Sequence, residues 1–358
     1  MRPRLPANAL VMQIRSQVLS SINNFFVSRE FVQTQPPIIT SSDCEGAGEV
    51  FKLAPQGREH HFKTEKYLTV STQLHLEALC QAVGKVWTLS PSFRAEKSDT
   101  NRHLSEFYML EAEVGFTQSL EDVLSLCEDL IRSIAHDFRQ SRFSDEWLST
   151  KEDIELRLLE SRWKWLLNPT QWKRMSYTEA ISLLQKADVP FRFKPEWGHG
   201  LQAEHERYLA ENFGGTGDNS TTTAGPIFIT DYPKTLKPFY MLENQGSSSA
   251  SSAHGKGSET VACFDLLFPG LGEVAGGSLR EHRFREIVEA MKQHGLVAQD
   301  ATDDSLGSMQ WYADLRRWGT IEHGGFGIGF DRLLSWLIGI ENVREVVTFP
   351  RWHGKCEC

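Results

Sequence analysis

Charged side chains are concentrated in two strand-like segments that a polar loop separates. The first segment covers residues 85–96, the loop residues 97–104 and the second segment residues 106–111. Strand, polar loop and strand predict a long hairpin. Its charged residues include Arg94, Glu96, Arg102, His103, Glu106 and Glu111. A solvated surface hairpin explains poorly why arginines and carboxylates flank aromatic and aliphatic residues. Arginine presents a planar fork of donors, which suits the binding of phosphate and carboxylate groups.

The same stretch carries a family resemblance. FRAE (residues 93–96), followed by the polar loop and RHLSEFYMLE, resembles motif 2 (about residues 85–116) of class II aminoacyl-tRNA synthetases, within their aspartate and asparagine group. Residues 10–40, a helical pattern followed by an extended segment with two prolines, are similar to motif 1, which forms the dimer interface of that class. Residues 324–340, a glycine-rich strand running into an apolar helix, are similar to motif 3. The resemblance covers nearly the whole chain and implies a homodimer.

The composition indicates an ordinary globular chain. Of its 358 residues, 40% are hydrophobic and 24% are charged, and no apolar run reaches the length of about eighteen that a membrane span needs. A net charge of −9 gives no sign of a general nucleic-acid binder, although a local basic face could still bind RNA. Six scattered cysteines indicate reduced thiols. Because the first residues form no convincing targeting segment, we expect a cytoplasmic or mitochondrial protein.

Hydrophobic periodicity predicts an α+β fold, with a central antiparallel sheet flanked by helices and no βαβ alternation. The helical segments are residues 8–30, 73–83, 120–138, 279–294 and 305–318. The strand-like segments outside the hairpin are residues 67–71, 226–230, 239–241, 261–268 and 324–329. In the second helix, Leu74, Leu76 and Leu79 should point inward. No glycine cluster matches G-x-G-x-x-G between a strand and a helix, so we reject a dinucleotide loop.

One domain is expected over residues 1–358, with three segments that its motifs do not account for. Residues 140–200 form a poorly readable helical insertion, and residues 213–225 and 245–259 are typical of flexible loops. The insertion places four tryptophans among basic residues: Trp147, Trp163, Trp165 and Trp172. Aromatic residues among cations can stack on bases, but we favour an insertion that packs on its own domain.

The family resemblance implies activation of an amino acid by ATP, which gives an aminoacyl-adenylate and pyrophosphate. Such phosphoryl chemistry needs positioning and charge neutralisation more than a protein nucleophile. By resemblance, Arg94 would hold the α-phosphate and the attacking carboxylate, whereas Arg102 and His103 would meet the outer phosphates. ATP and Mg²⁺ are the cofactors that the resemblance implies.

The remaining nucleotide contacts are also implied by the resemblance. Phe107 and Arg332 would stack on the two faces of adenine, and Arg332 would also approach the γ-phosphate. Glu96 would contact adenine or the end of the tRNA. Asp265 and Glu273 are hard oxygen ligands, eight residues apart, that suit Mg²⁺ bridging phosphates.

The sequence favours asparagine as the amino acid. The residues that the resemblance places around it are Glu45, Gln73, Leu76, Glu111, Ser278 and Arg280. Aspartate enzymes of the family carry a lysine three residues after the glutamine, where this chain has Leu76. Without that cation, a buried substrate carboxylate is costly and a neutral carboxamide is acceptable. STQLHLE, SSDCEGAGE and GEVAGGSLRE also resemble asparaginyl-tRNA synthetases, particularly a fungal mitochondrial type.

Three functions remain open. Asparaginyl-tRNA synthetases begin with an OB-fold that reads the anticodon, and we expect this chain to lack it because the linker-like RPRLPANAL follows Met1 directly. The first hypothesis is an asparagine–tRNA ligase with weakened anticodon recognition, for which tRNA is a partner. The second is a stand-alone ligase that passes activated Asn or Asp to ammonia or a small amine. The third is a catalytically silent regulatory or RNA-binding relative.

Overall fold

The computed structural model describes residues 2–41, 50–55, 60–215, 224–244 and 259–357. Its α-helices are α1 (Pro6–Ser28), α2 (Gln73–Val83), α3 (Leu120–Gln140), α4 (Arg142–Leu148), α5 (Asp153–Leu167), α6 (Tyr177–Lys186), α7 (Ala203–Phe213), α8 (Phe284–Gln293), α9 (Gln310–Arg317) and α10 (Phe330–Ile338). Its strands are β1 (Val32–Gln33), β2 (Ile39–Thr40), β3 (Tyr67–Leu68), β4 (Lys85–Phe93), β5 (Glu106–Gly115), β6 (Lys173–Ser176), β7 (Ile227–Thr230), β8 (Cys263–Phe268), β9 (Gly272–Leu279) and β10 (His323–Gly329). The fold is α+β, as the hydrophobic pattern predicts.

Among the described residues, eight strands form one sheet in the order β1-β4-β5-β10-β9-β8-β7-β6, and β2 pairs with β3 in a separate ribbon. Neighbouring strands from β4 to β7 run antiparallel, which confirms the predicted central sheet and its hairpin β4–β5. The two edges differ from the prediction, because β1 joins β4 and β6 joins β7 in parallel. The pair β6–β7 also forms a βαβ crossover, since α6 and α7 lie between these strands in the chain.

Helix α1 shows how hydrophobic spacing builds the main core. Leu10, Ile14, Val18 and Ile22 recur every four residues, and each is at most 5% exposed. Helix α1 packs against α3, whose apolar face is likewise buried. The chain then passes through β1 at the edge of the sheet, as the two following prolines predict. None of the helices within the described ranges is long and apolar enough to cross a membrane.

The tryptophans of the insertion stabilise the domain itself. Trp147 and Trp163 are each 3% exposed, and their indole N–H groups donate to the carbonyls of Ile338 and Leu337, both at 2.8 Å. Trp172 is 1% exposed and packs against Phe228 and Phe268. These contacts confirm packing rather than base stacking for these three tryptophans. The insertion also supplies β6, the last strand of the sheet.

Several predicted boundaries are wrong at their ends. Residue 279 ends strand β9, so the helix predicted from 279 begins only at Phe284, after an extended turn. The helix predicted from 305 begins at Gln310. Residues 239–241 form a turn that ends in an isolated bridge at Met241, instead of a strand. Leu79 is 38% exposed, not inward. Most of the two predicted flexible loops, 216–223 and 245–258, lies outside the described residues.

Two rows of paired residues across the sheet leave room on one face. Glu111, Gly327, Gly276 and Asp265 are consecutive partners on β5, β10, β9 and β8. Directly paired residues share a face, and neighbouring strands are about 4.8 Å apart. The two glycines, which carry no side chain of their own, therefore separate the two carboxylates by roughly 14 Å. A parallel row places Gly325 between Glu113 and Ser278.

Gly325 is needed because other atoms approach its backbone closely. A Cβ at this position would lie 2.0 Å from Glu113 Oε2 and 2.3 Å from the carbonyl oxygen of Ala112. The absence of a side chain on β10 thus allows the Glu113 carboxylate to lie across the neighbouring strand.

Gly325→Ala should lower the free energy of unfolding by about 2 kcal/mol or more, because the added methyl group must displace a buried carboxylate and a strand carbonyl. Gly327→Ala is the matched control on the same strand, since its Cβ would first meet the flexible end of Met109 at 3.0 Å. Urea unfolding followed by tryptophan fluorescence measures both variants. Equal stabilities would contradict the close packing at Gly325.

Candidate active site

One cavity of about 660 Å³ opens over the glycine row of the sheet. It is lined by most of the residues that the sequence analysis selected: Gln73, Leu76, Arg94, Glu96, Arg102, His103, Phe107, Glu111, Asp265, Glu273, Arg280 and Arg332. Ser278 does not line it, because its fully buried hydroxyl lies behind Arg280 and accepts a hydrogen bond from Arg280 Nη1 at 2.6 Å. Glu45 lies outside the described residues.

The hairpin supplies one wall of the cavity. The Arg94 guanidinium lies 5.6 Å from the centre of the Phe107 ring. Glu96 links the two sides of the loop, with an oxygen 4.0 Å from Arg94 Nη1 and another 3.4 Å from His103 Nε2. Burial lowers the pKa of His103, although the Glu96 carboxylate opposes this shift. The wall therefore presents arginine, imidazole and an aromatic face together.

Two arginines converge from different motifs on the backbone near the start of β9. Arg102 Nη1 donates to the carbonyl of Leu271 at 2.6 Å, and Arg332 Nη1 donates to the carbonyl of Glu273 at 3.2 Å. Burial lowers the pKa of Arg332, and the nearby Glu273 carboxylate counteracts part of that effect. Because neutral carbonyls hold these guanidiniums, their positive charge is available to an anionic ligand.

Asp265 and Glu273 face one small space beside Gly276. A Cβ built on Gly276 would lie 3.5 Å from Asp265 Oδ1 and 3.4 Å from Glu273 Oε1. Desolvation by the surrounding cavity wall and the Asp265 charge raise the pKa of Glu273, whose side chain is still accessible from the cavity. Two converging carboxylates without an intervening side chain are a suitable donor set for a hard divalent cation. In the part of the chain described here, no group of three or more His, Cys, Asp or Glu side chains could hold a metal alone. Phosphate or water oxygens would have to complete the coordination.

The opposite end of the cavity is organised by Glu111. Its carboxylate accepts hydrogen bonds from the hydroxyls of Ser71 and Thr72 and from the Thr72 backbone N–H at 3.1 Å. Gln73, the first residue of α2, donates to Glu77 Oε1 at 3.0 Å. Glu111 and Gln73 are thus both fixed by groups on α2 or directly before it.

Glu77 anchors a buried network beneath Gln73. It accepts from Arg316 Nη2 at 2.5 Å and from the Tyr312 hydroxyl at 2.7 Å, and His323 Nε2 lies 3.3 Å away. Burial would raise the pKa of Glu77, but Arg316 and His323 together lower it well below its usual range. The network connects α2, α9 and β10, so it holds Gln73 against the sheet.

Arg280 forms a buried ion pair next to Leu76. Its Nε and Nη2 atoms each lie 3.0 Å from an oxygen of Glu113, and the two side chains are 3% and 1% exposed. Despite burial, the Glu113 carboxylate raises the pKa of the Arg280 guanidinium. Leu76, 1% exposed, adds no charge to this end of the cavity. The Arg280–Glu113 pair therefore offers both donors and acceptors while its two charges cancel.

Three residues of the site were missed in the sequence analysis. Glu77 follows Gln73 by one helical turn, and Glu113 follows Glu111 by two strand positions, so periodicity could have indicated both. Lys237 lines the cavity and bonds to Asp265, but it lies in an irregular segment between β7 and β8. No periodic signal points to that lysine.

Residues 1–353 match the model of one protein family, the tRNA synthetases class II (D, K and N). The chain belongs to that family. This membership confirms the resemblance that the three sequence motifs indicated, and it accounts for the large mixed sheet flanked by helices.

Individual relatives of the family share nearly the whole of this chain. An asparaginyl-tRNA synthetase of Mus musculus is 38% identical, over 99% of this chain and 69% of its own length. A mitochondrial asparagine–tRNA ligase of Schizosaccharomyces pombe is 40% identical, over 99% of this chain and 71% of its own length. The structure of asparaginyl-tRNA synthetase from Pyrococcus horikoshii complexed with asparaginyl-adenylate is similar with a TM-score of 0.79 and 30% identity, over 99% of this chain and 70% of that one.

Gly276→Ala tests the space between the two carboxylates. The added methyl group would be in ordinary contact with both, so the variant should fold with an unchanged melting temperature. Amino-acid-dependent ATP–pyrophosphate exchange should nevertheless fall by about tenfold or more, because the methyl group occupies the space where a cation would approach the carboxylates. Gly200→Ala, at an open position without a positive φ, provides a control for a glycine replacement outside the cavity. Full exchange activity in Gly276→Ala would contradict this use of the space.

Proposed function

We propose that this protein activates L-asparagine with ATP and transfers the asparaginyl group to tRNA. One observation carries the proposal: a single cavity of about 660 Å³ has two different ends. One end is rich in arginine and holds two carboxylates, and the other contains the Arg280–Glu113 pair, whose charges cancel. The first end suits a nucleoside triphosphate, and the second suits a small molecule with a side-chain amide. The names of the relatives, and the asparaginyl-adenylate in the Pyrococcus horikoshii structure, support the same assignment.

The first step joins the asparagine carboxylate to the α-phosphorus of ATP. One carboxylate oxygen forms a bond to phosphorus while the bond to the bridging oxygen of pyrophosphate breaks, so no covalent protein intermediate is needed. Arg94 would hold the α-phosphate and the attacking carboxylate, and Arg102, His103 and Arg332 would bind the outer phosphates. A divalent cation such as Mg²⁺, held by Asp265 and Glu273, would neutralise phosphate charge.

The amino-acid end would select a carboxamide over a carboxylate. Arg280 can donate to the side-chain carbonyl of asparagine, whereas Glu113 already balances the arginine charge. An aspartate side chain would bring an extra negative charge into a buried space without an extra cation. Gln73 and Glu111, at the same end, would bind the α-amino group.

Labelled asparagine, ATP and total tRNA test the complete reaction, with pyrophosphate release measured in parallel. Labelled tRNA in the acid-insoluble fraction would support the proposed ligase. Pyrophosphate release without labelled tRNA would instead favour the stand-alone ligase that uses ammonia or a small amine as acceptor. Neither product from folded protein would favour the catalytically silent relative.

Glu113→Gln should reduce the preference for asparagine over aspartate by about tenfold, because Arg280 would lose its counter-charge and favour an anionic side chain. The ratio of kcat/KM values in ATP–pyrophosphate exchange with the two amino acids measures this preference. Glu106→Gln is the matched control, since Glu106 is an exposed carboxylate on the same strand. An unchanged ratio in Glu113→Gln would refute the role of charge balance in selection.

We also propose that the protein is a homodimer of the cytoplasm or the mitochondrion. The names of the fungal relatives support the mitochondrion. The homodimer is supported by the edge strand β1, where Val32 is 45% exposed, and by Ile38, 37% exposed, at the end of the segment that resembles motif 1. An open strand edge beside exposed apolar side chains is suited to pairing with a second copy.

Val32→Asp should convert the dimer to a monomer, because a charge on this edge strand would have to be buried in the interface. Light scattering coupled to size-exclusion chromatography gives the molecular mass. Ile154→Asp is the control at a 75% exposed apolar residue on α5, and it should remain dimeric. A dimeric Val32→Asp protein would place the interface elsewhere.

A further inference from the structure

Lys237 is the cation closest to the Asp265 carboxylate among the residues that the structure describes. It follows a short 3₁₀ turn, Lys234–Leu236, in the irregular segment between β7 and β8. Its Nζ atom lies 2.7 Å from Oδ1 and 2.7 Å from Oδ2 of Asp265. The side chains of the pair are only 15% and 17% exposed. Both carboxylate oxygens that face the cavity therefore already accept from an ammonium group.

The surroundings keep this ammonium charged and in place. The two 2.7 Å contacts with the Asp265 carboxylate oxygens stabilise the charged form of Lys237. The Nζ atom also lies 3.9 Å from the centre of the Tyr232 ring, an attractive cation–π distance. The Asp265 carboxylate and the Tyr232 ring thus hold this positive charge in place.

This positive charge lies where it weakens the binding of a free metal ion. Asp265 Oδ1 borders the space at Gly276 that Glu273 Oε1 also faces, and the same oxygen is bonded to Lys237. A divalent cation entering that space would meet the repulsion of the ammonium group and find one of its two carboxylates already neutralised. Triphosphate oxygens would add the negative charge that makes metal binding favourable.

We propose that Lys237 is a resident counter-ion of the Asp265–Glu273 pair, which keeps the pair from binding divalent metal until nucleotide phosphates are present. Lys237 is thus a positioning residue, since it acts through Asp265. The proposal rests on the proposed function, because it assigns metal-bound nucleotide to this cavity. As a consequence, the divalent metal and the nucleotide should bind together and not separately.

Mn²⁺ binding to the nucleotide-free protein tests the proposal without using catalysis. The electron paramagnetic resonance signal of the free ion at pH 8 measures this binding. Lys237→Met should bind Mn²⁺ about tenfold more tightly than the wild type, because removing the ammonium leaves Asp265 without its ion-pair partner. Lys237→Arg should bind as weakly as the wild type, since it keeps the positive charge. Lys237→Met/Asp265→Asn should lose the gain, because Asp265 no longer carries a charge.

Lys237→Gln serves as a second uncharged variant, since its amide still donates to Asp265 and is more readily accommodated if Lys237→Met does not fold. Thermal unfolding and near-ultraviolet circular dichroism verify the fold of each variant. Unchanged Mn²⁺ affinity in a folded uncharged variant overturns the counter-ion role. Tighter Mn²⁺ binding by an uncharged Lys237 variant, together with no asparagine-dependent exchange by the wild-type protein, would support the counter-ion role and overturn the proposed function.

Discussion

The compensation of buried charge is the constraint on which the rest of this structure depends. A charged group removed from water is stable only when opposite charges or hydrogen bonds replace its hydration. In this cavity, Arg280 is paired with Glu113, and Lys237 is paired with Asp265. The guanidiniums of Arg102 and Arg332 donate to backbone carbonyls, which leave their positive charge available to an anionic ligand. The cavity is therefore built to receive an anion at one end and a neutral group at the other.

Strand register is what brings these charges to their places. The row Glu111, Gly327, Gly276 and Asp265 crosses four strands that are far apart in the chain, and its two glycines leave the floor of the cavity open. The neighbouring row uses Gly325 to admit the Glu113 carboxylate. The glycines in these strands are therefore needed, because the absence of each side chain leaves space for a ligand or for a buried carboxylate.

Local patterns predicted the elements better than the contacts between them. The hairpin and helix α2 can be predicted from periodicity, because the residues of each apolar face recur at regular spacing within one short segment. Periodicity does not predict strand β9 and places its last residue in a helix, because the glycines of this strand give no alternating pattern. The glycine rows depend on register between distant strands, and Lys237 depends on an irregular segment. Tertiary pairing decides both, so local sequence carries no signal for them.

Asparagine-dependent ATP–pyrophosphate exchange by the unmodified protein tests the central claim most directly. The account predicts rapid exchange with asparagine and exchange lower by about 100-fold or more with aspartate, because the neutral pocket leaves an extra carboxylate charge uncompensated. Exchange that is equal with both amino acids would contradict the assignment of Arg280 and Glu113. No exchange with either amino acid, from folded protein supplied with Mg²⁺, would contradict adenylate formation itself.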